Sequence, residues 1–209
     1  MTRLAAATGG LVLLAAWAGP LPGLAATSFT AHMVLHMVVV AVAAPILAVA
    51  IAGSRVDPVR WAPRLCSPLP ASGVELAAVW AWHVPALHHA ARTSGAAFTV
   101  EQLSFLAAGL LFWASVIGGP LRVRRANAAP ALAALSLTLA HMTLLAVLLS
   151  LSPRPLYRHG LGLDHEALRD QQRGGAVMFL MSAAACVAGA LVVGRRLTGA
   201  GAQAGWRDA

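Results

Sequence analysis

Lysine is absent from this chain, and charged side chains of every kind make up only 11% of its 209 residues. Soluble domains carry about 25% charged residues, so the shortage excludes an ordinary water-soluble fold. Cysteine is nearly missing as well. Cys66 sits in a loop and Cys186 in the middle of the last apolar run, so they form no CxxC and no metal-type spacing. Neither a disulfide between them nor a zinc-finger framework is expected. Each reads first as a small buried apolar residue, with a copper-ligand role for Cys186 as the alternative. Carboxylates are few, and no Ser-His-Asp set, HExxH, Walker loop or carboxylate pair is present. Nothing in the residues supports catalysis, and the chain is expected not to be an enzyme.

What the sequence does contain is lipid-compatible length. Hydrophobic residues make up 59% of the chain and the mean hydropathy is +0.74. A membrane-crossing helix needs about 20 mostly apolar residues. Six stretches approach that length, at 4–24, 32–52, 72–91, 98–118, 130–151 and 174–194. Breakers bound them: Pro20 and Pro22, Gly53, Gly118-Gly119-Pro120, and Ser152-Pro153. The fold class that follows is all-α, a polytopic transmembrane helix bundle of five or six spans. The count depends on the first run, because 1–26 reads either as a span or as a signal peptide with a poor small-residue site. Residues 27–197 read as one integral-membrane domain, and 198–209 as a cytoplasmic tail.

The net charge of +8 comes from fifteen arginines. In a soluble chain it would suggest nucleic acid, but these arginines lie between apolar runs, where they set topology. The lipid bilayer is the expected partner and nucleic acid is not. With the N-terminus inside, ten arginines fall on the inner side and five on the outer. The positive-inside rule therefore places both ends in the cytoplasm. In that orientation every histidine lies in the outer half, near the middle, or in an outer loop.

Imidazoles at membrane depth mark a functional site by default, since lipid offers them no partner. The densest group is His32-Met33-Val34-Leu35-His36-Met37. His32 and His36 share one helix face, with Met33 and Met37 as an adjacent stripe, and imidazole beside thioether suits the soft ion Cu(I). His83 follows Trp82 in the third run, where Pro85 removes a backbone donor and invites a kink. His141 lies deeper in the fifth run. His88 and His89 read as rim residues whose tips reach water, and His159 and His165 as solvated loop residues. Trp80, Trp82 and Trp113 read as anchors or packing. Glu75 and Glu101 stand near the starts of the third and fourth runs. Asp170 reads as the cap of the sixth helix, or as an acceptor orienting a metal-bound imidazole.

The segments AHMVLHMVVVAVAAPILAVA, WHVPALHHAA, LSFLAAGLLFWASVIGGP, AHMTLLAVLLSLSPRPLY and DQQRGGAVMFL occur in that order over about residues 30 to 185. Together they resemble the polytopic CtaG-type cytochrome c oxidase assembly factors. The resemblance implies a bacterial inner-membrane protein that helps mature a haem–copper oxidase, with oxidase subunits as partners and copper handled near the CuB centre. The positions it carries over are His32, His36, His83, His141, Asp170 and Gln171. Where further family histidines are associated with the fourth run, this chain has Phe98-Thr99-Val100-Glu101-Gln102.

The leading expectation is a periplasmic-side Cu(I) site with His32, His36 and His83 as first ligands. Met37 or His141 would complete it, and Met33 would stand by. The alternatives are a haem protein ligated by His83 and His141, a copper transporter using the same ligands, and a structural oxidase-binding scaffold.

Overall fold

In a computed structural model, the described residues are 2–64, 66–157 and 163–205, the stretch 197–205 by backbone alone. His159 therefore lies outside the described residues. The elements in chain order are α1 (Thr2–Ala18), α2 (Leu21–Ala25), α3 (Phe29–Ile51), α4 (Pro58–Trp61), α5 (Pro68–Trp82), α6 (Pro85–Thr93), α7 (Gly95–Ile117), α8 (Leu121–Ala126), α9 (Ala128–Ser150) and α10 (Asp164–Gly205). No strand occurs among the described residues. Four helices are long and apolar enough to cross a membrane: Phe29–Ile51, Gly95–Ile117, Ala128–Ser150 and Asp164–Arg196, with α1 a shorter apolar helix. The protein is a helical, membrane-spanning bundle.

The third apolar run is not one rod. α5 ends at Trp82 and α6 begins at Pro85, because the proline has no N–H to continue the ladder and biases Val84 away from helix. α5 packs against α7 and α9, and α6 folds back along α7. The last run departs in the other direction. Its helix starts at Asp164, ten residues before the apolar stretch, with Asp164 and Glu166 in the first turn where they complement the helix dipole. His165 is thus an exposed residue of a helix, not of a loop.

α3 carries a π-helical segment at Val38–Ala43 just before Pro45. There the Ala44 N–H bonds the Val39 carbonyl, five residues back. The Val40 carbonyl then has no backbone donor, since the residue five ahead is proline. The Trp113 indole of α7 fills that role at 2.9 Å, as an intramembrane carbonyl requires. Gly109, one turn earlier on α7, lets the helices meet there: a Cβ on it would stand 3.2 Å from that of Ala44. Trp113→Phe is expected to cost about 1–3 kcal/mol, the penalty for one orphaned buried acceptor. Reversible unfolding in mixed micelles checks it.

Two large apolar layers and a small cluster of Ala16, Ala25 and Leu35 hold the bundle. One gathers Ala44, Phe112, Trp113, Leu135 and Val193 toward the arginine-rich end. The other gathers Phe29, Met33, Phe105, Leu149, Tyr157 and Met178 toward the histidine end. At the arginine-rich end Asp57 takes N–H donors from Gly53, Val59 and Gly119 at 2.6–3.0 Å, tying two loops together. Cys66 is buried nearby, and that burial, with Asp57 close by, raises its thiol pKa.

At the opposite end the Asp170 carboxylate accepts from the Phe29 and Thr30 backbone N–H groups and from the Ser28 hydroxyl, at 2.5–3.2 Å. Asp170 caps α3 across the bundle instead of capping its own helix, because α10 has already been running for six residues when it reaches this position. Gln171 closes the same corner: its amide donates to Leu149 O and its carbonyl accepts from Leu156 N, at 3.0 and 2.7 Å. Gly174 lets α10 approach α3, as a Cβ there would come within 2.4 Å of the Phe29 ring. These contacts fix the rotation and height of the helix that carries His32 and His36.

Candidate metal centre

The one-turn spacing of His32 and His36 puts both rings on the inward face of α3, where they meet α6 and the end of α5. His32 and His36 are 0% exposed, His88 2%, His83 5% and Glu101 0%. His32 meets His88 edge-on with ring centroids 4.7 Å apart, and His83 at 6.4 Å. His36 lies 5.7 Å from His83 and is backed by Phe105 at 4.0 Å. Four imidazoles from three elements therefore form one group.

The donor geometry is specific. His83 Nδ1 lies 2.7 Å from the Val79 carbonyl. A carbonyl only accepts, so Nδ1 carries the hydrogen and Nε2 is left as a lone pair. That Nε2 has no hydrogen-bond partner among the described residues, nor has either ring nitrogen of His32 or His36. Buried polar atoms are normally satisfied, so this many orphans in one place point to a ligand or water as the missing partner. One ligand atom from each of His32, His88 and Glu101 lies within 4.8 Å of the others, and His32 Nε2 stands 3.9 Å from Glu101 Oε1. The remaining Glu101 oxygen is held by Arg92 and by Gln102 at 3.2 Å. Gln102 is itself fixed by the Trp17 indole at 3.1 Å. Glu101 Oε1 is thus oriented toward the imidazoles and has no hydrogen-bond partner among the described residues.

Aromatic side chains cover the group. Tyr157 stacks on Phe29 at 4.6 Å, sits 4.4 Å from the His88 ring, and donates to the His83 carbonyl at 2.5 Å. Burial raises the pKa of the Tyr157 phenol, which keeps it a donor. On the far side of His88 lies a surface hollow of about 470 Å³ bordered by Pro85, His89, Arg92 and Tyr157. His88 is the only imidazole of the four that faces both the buried group and this hollow.

Residues 2–199, nearly the whole chain, match the family described as cytochrome c oxidase caa3 assembly factors (CtaG). The chain belongs to that family. It is accordingly a membrane-spanning cytochrome c oxidase assembly factor. No curated protein and no solved structure matches the chain.

Within this assembly factor the candidates read from sequence separate into two sets. His32, His36 and His83 come together. Met33 packs against Gly174, and Met37 lines a separate cavity with Val40 and Phe112. His141 is buried, with both ring nitrogens lacking partners, and no ring contact or hydrogen bond among the described residues joins it to the cluster. Asp170 and Gln171 make their contacts with backbone and Ser28, not with an imidazole.

Two members of the group were not legible as such. His88 turns inward while His89 is exposed, because α6 lays the stripe His88, Ala91 and Arg92 against α7. That i, i+3, i+4 spacing was the available signal. Glu101 was visible as a carboxylate in an apolar helix, and Arg92 nine residues earlier as its counter-ion, but only the α6–α7 hairpin joins them.

Proposed function

We propose that this assembly factor binds copper, as Cu(I), at the cluster of His32, His36, His83 and His88, and yields it to a subunit of the oxidase. The observation that carries the reading is that both ring nitrogens of His32 and His36 and Nε2 of His83 are buried with no hydrogen-bond partner among the described residues, in a group where one ligand atom each of His32, His88 and Glu101 lies within 4.8 Å of the others. Imidazole suits copper in either oxidation state. Glu101 and Arg92 balance each other, so a monovalent ion adds only one net charge to a dry site. Low coordination by imidazoles and a neighbouring surface hollow suit a site that must give up its cargo. The arginine distribution supports placing the cluster on the periplasmic side of the bacterial inner membrane, with both termini in the cytoplasm.

Copper content of the purified protein tests the site. The wild type is expected to retain nitrogen-ligated copper after gel filtration, and His36→Ala and His32→Ala to lose most of that fraction, at least about tenfold in affinity for a loss of about 1.4 kcal/mol. Equal copper in all three, or none in any, removes the claim. A Soret band in the purified protein would instead favour haem ligation.

A further inference from the structure

Deeper in the bundle, toward the arginine-rich end, five helices close around a second polar spot that the histidine cluster does not use. Met37 of α3, Glu75 of α5, Thr138 and Met142 of α9, and Cys186 of α10 line one cavity of about 10 Å³. That volume is on the order of one water molecule's probe sphere, or a single ion. Glu75 is 2% exposed and Cys186 4%. Thr138 donates to Glu75 Oε2 at 2.8 Å and pairs with Ser72 at 2.9 Å. Glu75 Oε1 has no donor among the described residues. An intramembrane carboxylate with a spare oxygen calls for a ligand or proton, and its neighbours in this cavity are a thiol and two thioethers.

We infer that this cavity is a second, sulfur-based Cu(I) site, with Cys186, Met37 and Met142 as ligands and Glu75 as the base that serves it. Thioether and thiolate select Cu(I) over Zn(II) and the harder ions. On binding, Cu(I) forms a bond to Cys186 Sγ and the thiol proton passes to the Glu75 carboxylate. No electron is transferred. The pair Cys–SH and carboxylate plus one cation becomes copper thiolate plus carboxylic acid, with no net charge left in low dielectric. The three sulfur donors sit on three different helices, so the ion would also tie α3, α9 and α10 together.

The inference stands apart from the histidine site, and copper K-edge X-ray absorption separates the two. The detergent-solubilised full chain is loaded with Cu(I) from a chelator-buffered solution and compared with its variants. Sulfur neighbours are expected in the wild type and in His32→Ala. Cys186→Ser and Met142→Leu are each expected to weaken retention of the sulfur-ligated copper by at least about tenfold. Met142→Leu is nearly volume-conserving and keeps the fold, and Met181→Leu, a thioether outside the cavity, is expected to change nothing. A wild-type spectrum with nitrogen and oxygen neighbours alone overturns the inference. So does a sulfur shell that persists in the Cys186→Ser/Met142→Leu double variant. Loss of the nitrogen shell in His32→Ala bears only on the histidine site.

Discussion

Glu101→Ala is expected to cost about 3–5 kcal/mol of stability, because it leaves the Arg92 guanidinium buried without its counter-charge. The Arg92 side chain is 9% exposed and that of Glu101 0%, so water replaces the lost partner only in part. Arg92→Leu, which strands the carboxylate, should cost a similar amount. The Arg92→Leu/Glu101→Leu double variant should recover most of either loss, since removing both charges also removes both desolvation penalties. A double-mutant cycle from unfolding in mixed micelles measures this directly. Additive losses in the double variant would mean that the two groups are stabilised separately. Copper retention distinguishes the roles further. If Glu101 orients or ligates, the double variant is stable yet binds copper more weakly than wild type.

The second large effect belongs to Asp170. Asp170→Ala removes three hydrogen bonds that the N-terminus of α3 makes to one carboxylate. Bonds to a charged group contribute about 1.5–3 kcal/mol each but do not add fully, so a total loss of about 3 kcal/mol is expected. Asp170→Asn keeps one acceptor oxygen and should lose about half as much. Because these bonds set the height of α3, Asp170→Ala should also weaken copper binding without touching any ligand. Crosslinking between cysteines placed at exposed positions of α3 and α10 checks the displacement. An unchanged crosslinking pattern together with unchanged stability would show that Ser28 and Thr30 hold the corner without the carboxylate.

The membrane class, most of the helical spans and the irregularity at Pro85 were readable from the chain, each for a local reason. Apolar length is a property of consecutive residues, and a proline interrupts its own helix whatever surrounds it. The sequence also marked His32 and His36 as a pair, since their spacing fixes one face. It misplaced Asp170, whose distance from the helix start became known only once α10 was seen to begin at Asp164. It left His88 at the rim beside His89, because two adjacent histidines on a short helix differ only in which of them faces a neighbour.

Local periodicity, hydropathy and charge count thus decided the solvent this protein lives in, its helical class and the end of the bundle that carries the imidazoles. Tertiary packing alone decided which donors converge: the α6–α7 hairpin brings Glu101 to His32 and His88, while Met37 lines the cavity that Cys186 also borders. The physical reason is that ligand geometry depends on how helices rotate about their axes. That rotation is set by contacts between distant residues, such as Asp170 with α3 and Trp113 with Val40, which no local pattern encodes.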